Sequence, residues 1–119
     1  IYTLTRSSAA SDVYKRQENA HIRGVHLRLP GCAEDGPTLE IFRYDQAPAR
    51  PPTAINRPGL GHLAFSVDDV HAAREALLLA GGNTVGEVVT VQIPGAGSVT
   101  FLYATDPEGN VIELQSWAS

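Results

Sequence analysis

From residue 60 onward the chain alternates apolar and polar positions in short runs, interrupted once by a helical spacing. In GLGHLAFSVDDV, Leu63, Phe65 and Val67 share one parity and His62, Ala64 and Ser66 the other. That period of two predicts a strand over residues 60–67. Asp68 or Asp69 then predicts a helix start, because a short carboxylate accepts bonds from the free N–H groups of a first turn. Val70, Ala73, Leu77 and Ala80 recur at helical spacing and predict a buried stripe. Gly81 and Gly82 predict its end, since glycine adopts the left-handed conformation at little cost. Residues 84–93 read as strand broken near Gly86, 94–97 as a turn and 99–105 as a strand. Asp106-Pro107-Glu108-Gly109 suits a type I turn, with proline second and glycine fourth. Residues 111–117 read as the last strand, with Ile112 and Leu114 opposite Val111, Glu113 and Gln115.

Upstream the pattern is shorter. In residues 21–29 (HIRGVHLRL), Val25, Leu27 and Leu29 alternate with His26 and Arg28, which predicts a strand. Residues 30–37 (PGCAEDGP) form a turn-rich loop. Residues 38–45 (TLEIFRYD) give a second strand, with Leu39 and Ile41 opposite Glu40, Phe42 and Tyr44. The two predict a hairpin. Residues 47–58 hold four prolines and read as a linker. The fold class is therefore α+β with a largely antiparallel sheet. Residues 60–117 make one complete β-α-β-β-β unit, and residues 21–45 only its last two strands.

Residues 1–17 do not match the rest of the chain. They are serine-rich, lack sustained periodicity and hold the only lysine, Lys15. Arg6, Lys15 and Arg16 face Asp12 alone, a net +2, whereas the remainder has 6 arginines against 12 acids, a net −6. This shift marks a boundary. The segment is read as non-native or disordered and is set aside from the fold.

Length and composition limit the function classes. The chain has 119 residues, 43% hydrophobic, which suits one domain with a core. A net charge of −4 offers no nucleic-acid surface, and no apolar run approaches membrane-span length. The single cysteine, Cys32, leaves no internal disulfide framework and agrees with a reducing cytoplasm. The sequence contains no methionine, so it reads as a fragment of a longer gene product.

Glu40, His62 and Glu113 each fall within a predicted strand, and their neighbours Leu39/Ile41, Leu63 and Ile112/Leu114 point the opposite way. A carboxylate in an apolar strand is costly to desolvate unless paired or bound to a cation. Two carboxylates and an imidazole suit a borderline divalent metal. Spacings of 22 and 51 residues match no standard metal motif, and each residue alone also fits a solvated outer face.

GLGHLAFSVDDVHAAREALLLAGG followed by VTFLYATDPEGNVIELQSW resembles the second half of a vicinal oxygen chelate protein, and TLEIFRYD resembles the end of its first half. That superfamily includes glyoxalase I, methylmalonyl-CoA epimerase, bleomycin-resistance proteins, fosfomycin-resistance enzymes and extradiol dioxygenases. The resemblance implies paired β-α-β-β-β modules, with a metal bound from the first and last strands of each. The domain expectation is then a glyoxalase-like region over 18–119: 18–46 a partial first module, 47–59 a linker and 60–119 a complete second module. By position, Glu40, His62 and Glu113 would be ligands, and Glu113 would double as catalytic base. The fourth ligand's strand is absent. His21 and His26 are the nearby substitutes, on a different strand of the module. Arg28 would meet an anionic substrate, and Phe42, Tyr44, Phe101 and Tyr103 would wall the pocket.

The resemblance also implies a function. The leading expectation is a metal-dependent glyoxalase-like lyase or isomerase acting on a small carbonyl or thiol-conjugated substrate, through a metal-stabilised enediolate. The metal would be zinc, nickel, cobalt, magnesium, manganese or iron. The fragment itself is expected to be inactive. The alternatives are a metal-free binding protein of the bleomycin-resistance type and an extradiol dioxygenase. The expected partners are a small-molecule substrate and a second copy in a homodimer, with no nucleic acid and no membrane.

Overall fold

A computed structural model describes residues 2–6, 22–29, 32–52 and 54–118. The chain divides into two compact units, Ile1–Arg50 and Pro51–Ser119.

The first unit is a three-stranded sheet in the order β1-β2-β3, built from β1 (Tyr2–Arg6), β2 (Ile22–Arg28) and β3 (Thr38–Tyr44). Both pairings are antiparallel. The hairpin of β2 and β3 is the expected one. β1 is an addition, and it corrects the exclusion of residues 1–17 as far as residues 2–6. Averaged over the segment, serine dominates. Locally, Tyr2-Thr3-Leu4-Thr5 is aromatic and β-branched enough for a strand. Residues 7–17 lie outside the described residues, as does His21.

The second unit contains β4 (Leu63–Ser66), α1 (Val70–Leu79), β5 (Asn83–Thr84), β6 (Val89–Ile93), β7 (Gly97–Thr105) and β8 (Val111–Ala118). The sheet order is β4-β8-β7-β5, with β6 also on β7. β4 runs parallel to β8 and the other pairings are antiparallel. This is the expected β-α-β-β-β sequence. The strand-like run around Gly86 splits into β5 and β6, both on β7.

Local chemistry explains the helix ends. Asp69 caps α1, its Oδ1 accepting from the N–H groups of His71 (2.8 Å) and Ala72 (3.2 Å). At the other end Gly81 has φ +90° and the Gly82 N–H donates to the Leu77 carbonyl at 3.0 Å, a left-handed stop. Gly82 also answers a steric demand, since a Cβ there would sit 2.6 Å from the Leu77 side chain and from the Thr105 carbonyl oxygen. The Asp106 turn closes by a 3.0 Å bond from the Gly109 N–H to the Asp106 carbonyl. Asp106 Oδ1 also accepts from the Glu108 and Asn110 N–H groups.

The core of this unit is Val70, Leu102, Ala104 and Leu114, with Phe65, Val67, Ala73, Leu77, Val88 and Ile112 packed on it. The helical stripe is as expected except Ala80, which is exposed and forms the C-cap. Leu63 is also partly open, as befits the first residue of an edge strand. The alternation of β8 sends Ile112 and Leu114 into this core, so Glu113 lies on the opposite face.

Candidate functional site

Glu113 is the third residue of β8 and stands opposite Tyr103 of β7 and Ala64 of β4. His62 precedes β4 by one residue, so the expectation that it sits within the strand is corrected. Its pairing is nonetheless made. His62 Nε2 lies 3.1 Å from Glu113 Oε2, with Glu113 the more buried of the two side chains. Tyr103 completes the group: its ring meets the His62 imidazole edge-on, centroids 5.1 Å apart at 83°. Phe101 meets Tyr103 edge-on at 5.8 Å. Desolvation raises the Tyr103 pKa above its ordinary value, and the Glu113 charge and hydrogen bond add to this. Tyr103 is therefore held as a neutral O–H donor.

Glu40 belongs to the first unit. It is the third residue of β3, directly opposite His26 of β2, and His26 Nε2 lies 2.9 Å from Glu40 Oε1. Phe42 shares that face and stands opposite Gly24, where an added Cβ would fall 2.6 Å from the Phe42 ring. The ring thus covers the bare backbone of β2. Tyr44, opposite Ile22, has the same parity. Arg28 is exposed and its Nη2 donates to Glu34 Oε1 at 3.0 Å.

The expected residues therefore gather as His62, Glu113, Tyr103 and Phe101 in the second unit, and as Glu40, Phe42 and Tyr44 on one face of the first. Sequence reasoning underrated His26 as a partner of Glu40. Its parity was legible, but the register that sets it opposite Glu40 was not.

These donors bear on metal binding. Each unit offers an imidazole nitrogen and a carboxylate at hydrogen-bond separation, types that suit a borderline divalent ion. A cation bound between His62 and Glu113 would displace the hydrogen bond they share. Within each unit, among the described residues, no group of three or more His, Cys, Asp or Glu side chains is arranged to hold an ion. The donor chemistry thus fits a metal, and each unit alone supplies two such donors.

Comparison with known proteins adds four findings. A family model described as Glyoxalase/Bleomycin resistance protein/Dioxygenase superfamily matches residues 11–114. A probable lactoylglutathione lyase of Vibrio parahaemolyticus is 39% identical over 54 residues, 45% of this chain and 37% of that protein. A lactoylglutathione lyase of Haemophilus influenzae is 40% identical over 54 residues, 45% of this chain and 38% of that protein. The matched stretch thus spans little more than a third of these relatives. The fold resembles that of a glyoxalase family protein from Bacillus cereus, with a TM-score of 0.79 at 20% identity over 99% of this chain and 76% of that one.

Proposed function

Because the chain belongs to the Glyoxalase/Bleomycin resistance protein/Dioxygenase superfamily, we propose that it carries part of the site of a metal-dependent glyoxalase-like lyase. The substrate class is a small carbonyl compound conjugated to a thiol. The His62–Glu113 pair at 3.1 Å carries this reading, and the two lactoylglutathione lyases support it. His62 and Glu113 are the proposed ligands of a divalent ion in the second unit, and Glu40 is the candidate donor that the first unit carries; a bound ion supplies Lewis-acid stabilisation of negative charge on substrate oxygen.

The remaining roles belong to the chain itself. Glu113 takes the proton from the carbon beside the substrate carbonyl and returns it to the neighbouring carbon. Its carboxylate suits this work because it is half-withdrawn from water yet hydrogen-bonded. Phe101 and the Tyr103 ring wall the substrate beside Glu113. Arg28 is kept for an anionic substrate group, with Glu34 as its competitor. Assembly as a homodimer and a cytoplasmic location belong to the same reading. Among the described residues no helix is long and apolar enough to cross a membrane.

The test is metal content per chain after exposure to each of the six candidate ions. Turnover of a hemithioacetal is read in parallel, in a chain extended ahead of β1 by a strand and a helix. The expected result is a retained divalent ion, lost in His62→Ala. Glu113→Gln is expected to reduce turnover by about 100- to 10,000-fold, the range of a general base, and by more than it reduces bound metal. A wild type that retains none of the six ions overturns the metal-dependent reading.

A further inference from the structure

The two units repeat one arrangement. In each, an antiparallel strand pair ends in a strand whose third residue is a glutamate between two apolar neighbours: Thr38-Leu39-Glu40-Ile41 in β3 and Val111-Ile112-Glu113-Leu114 in β8. The register then sets one residue directly across the ladder from each glutamate: His26 opposite Glu40, Tyr103 opposite Glu113. Directly opposed side chains on one face of an antiparallel pair lie about 5 Å apart at Cβ, close enough for a long side chain to reach its partner's head group. His26 Nε2 reaches Glu40 Oε1 at 2.9 Å, and the register sets the Tyr103 side chain across from the Glu113 carboxylate.

We propose that His26 and Tyr103 are equivalent positioning residues, one in each unit, each fixing the carboxylate of the glutamate directly across the ladder from it. A glutamate has three side-chain torsions, and a carboxylate left free samples many of their combinations. One bond from a residue anchored on the next strand removes most of that freedom before any ligand arrives. The two donors differ in chemistry and share a function. The phenol donates its O–H, and the imidazole donates from Nε2. Tyr103 has a second support, its edge-on contact with the His62 ring, so the ring holds His62 while the hydroxyl holds Glu113.

The effect on cation binding rests on the metal-dependent reading of the site, while the effect on the glutamates does not. Two measurements separate them. The first is the side-chain carboxyl carbon resonances of Glu40 and Glu113, recorded without metal. Tyr103→Phe keeps the ring and removes the hydroxyl, and it should move the Glu113 signal only. His26→Ala should move the Glu40 signal only, and His26→Gln, which retains an N–H donor, should return it towards the wild-type position. Amide spectra verify that each variant is folded. The second measurement is nickel affinity of the same proteins. Tyr103→Phe and His26→Ala should each weaken it about tenfold or more, the usual cost of losing a residue that orients a ligand, and His26→Gln should recover most of the loss. A Glu113 signal unmoved by Tyr103→Phe, or a Glu40 signal unmoved by His26→Ala, overturns the proposal. So does a purely structural outcome in which both signals move in both variants. If the wild type retains no nickel, the carboxyl resonances still decide the proposal by themselves.

Discussion

At the scale of single residues, the second unit places three groups of different chemistry within reach of one another: the His62 imidazole, the Glu113 carboxylate and the Tyr103 phenol. The alkaline behaviour of Tyr103 follows from its raised pKa. The folded state favours the neutral phenol more than the unfolded state does. Its contribution to stability is therefore complete below the ordinary tyrosine value of 10.0 and declines as pH rises through the higher folded value. Thermal melts across that range should show the wild type losing stability more steeply than Tyr103→Phe. Parallel curves for the two proteins would count against this. The identity of these residues as polar positions among apolar neighbours was legible in the sequence. Their contacts were not, because His62 and Glu113 are 51 residues apart and only strand order brings them together.

At the scale of elements, α1 and the hairpins were legible because their signals are local. Asp69 caps and Gly81–Gly82 terminate through bonds to groups within a turn or so of themselves. Asp69→Ala should cost about 1 kcal/mol, the usual loss for an N-cap, measured by denaturant unfolding; no change would mean that Asp68 takes over the cap. Gly82→Ala should cost more, because the added carbon meets the Thr105 backbone oxygen as well as Leu77. β1 escaped the same reading for a physical reason. An edge strand joins a sheet through backbone hydrogen bonds, so a five-residue run suffices and needs no long alternating pattern.

At the scale of the whole molecule, the two units differ in how they are held. The second has a fully buried Leu102 beneath α1, and Leu102→Ala should cost about 2–5 kcal/mol through lost contacts and the cavity left behind. The first, among its described residues, is three strands without a helix. Two-stranded hairpins are marginal in water, so deleting residues 1–6 should speed amide exchange in β2 and β3 and leave α1 and β7 unchanged. Unaltered exchange in β2 would show that β1 contributes nothing. In that sheet β3 is an edge strand, and edges invite pairing with a second chain. Light scattering should report a dimer or larger species; a stable monomer at high concentration would remove the homodimer from the proposed function.

The sequence by itself determined the element types, the α+β class, the helix caps and the face on which Glu113 lies, since each follows from spacing over a few residues. It also carried the family, through the runs from Gly59 to Gly82 and from Val99 to Trp117. Tertiary structure alone decided that Tyr2–Arg6 joins a sheet, that His62 stands just outside β4, that Ala80 is exposed and that His26 meets Glu40. The strand cases depend on register or on strand order, and Ala80 on where the helix ends. A shift of one residue along a ladder changes every cross-strand partner while leaving the alternation within each strand untouched.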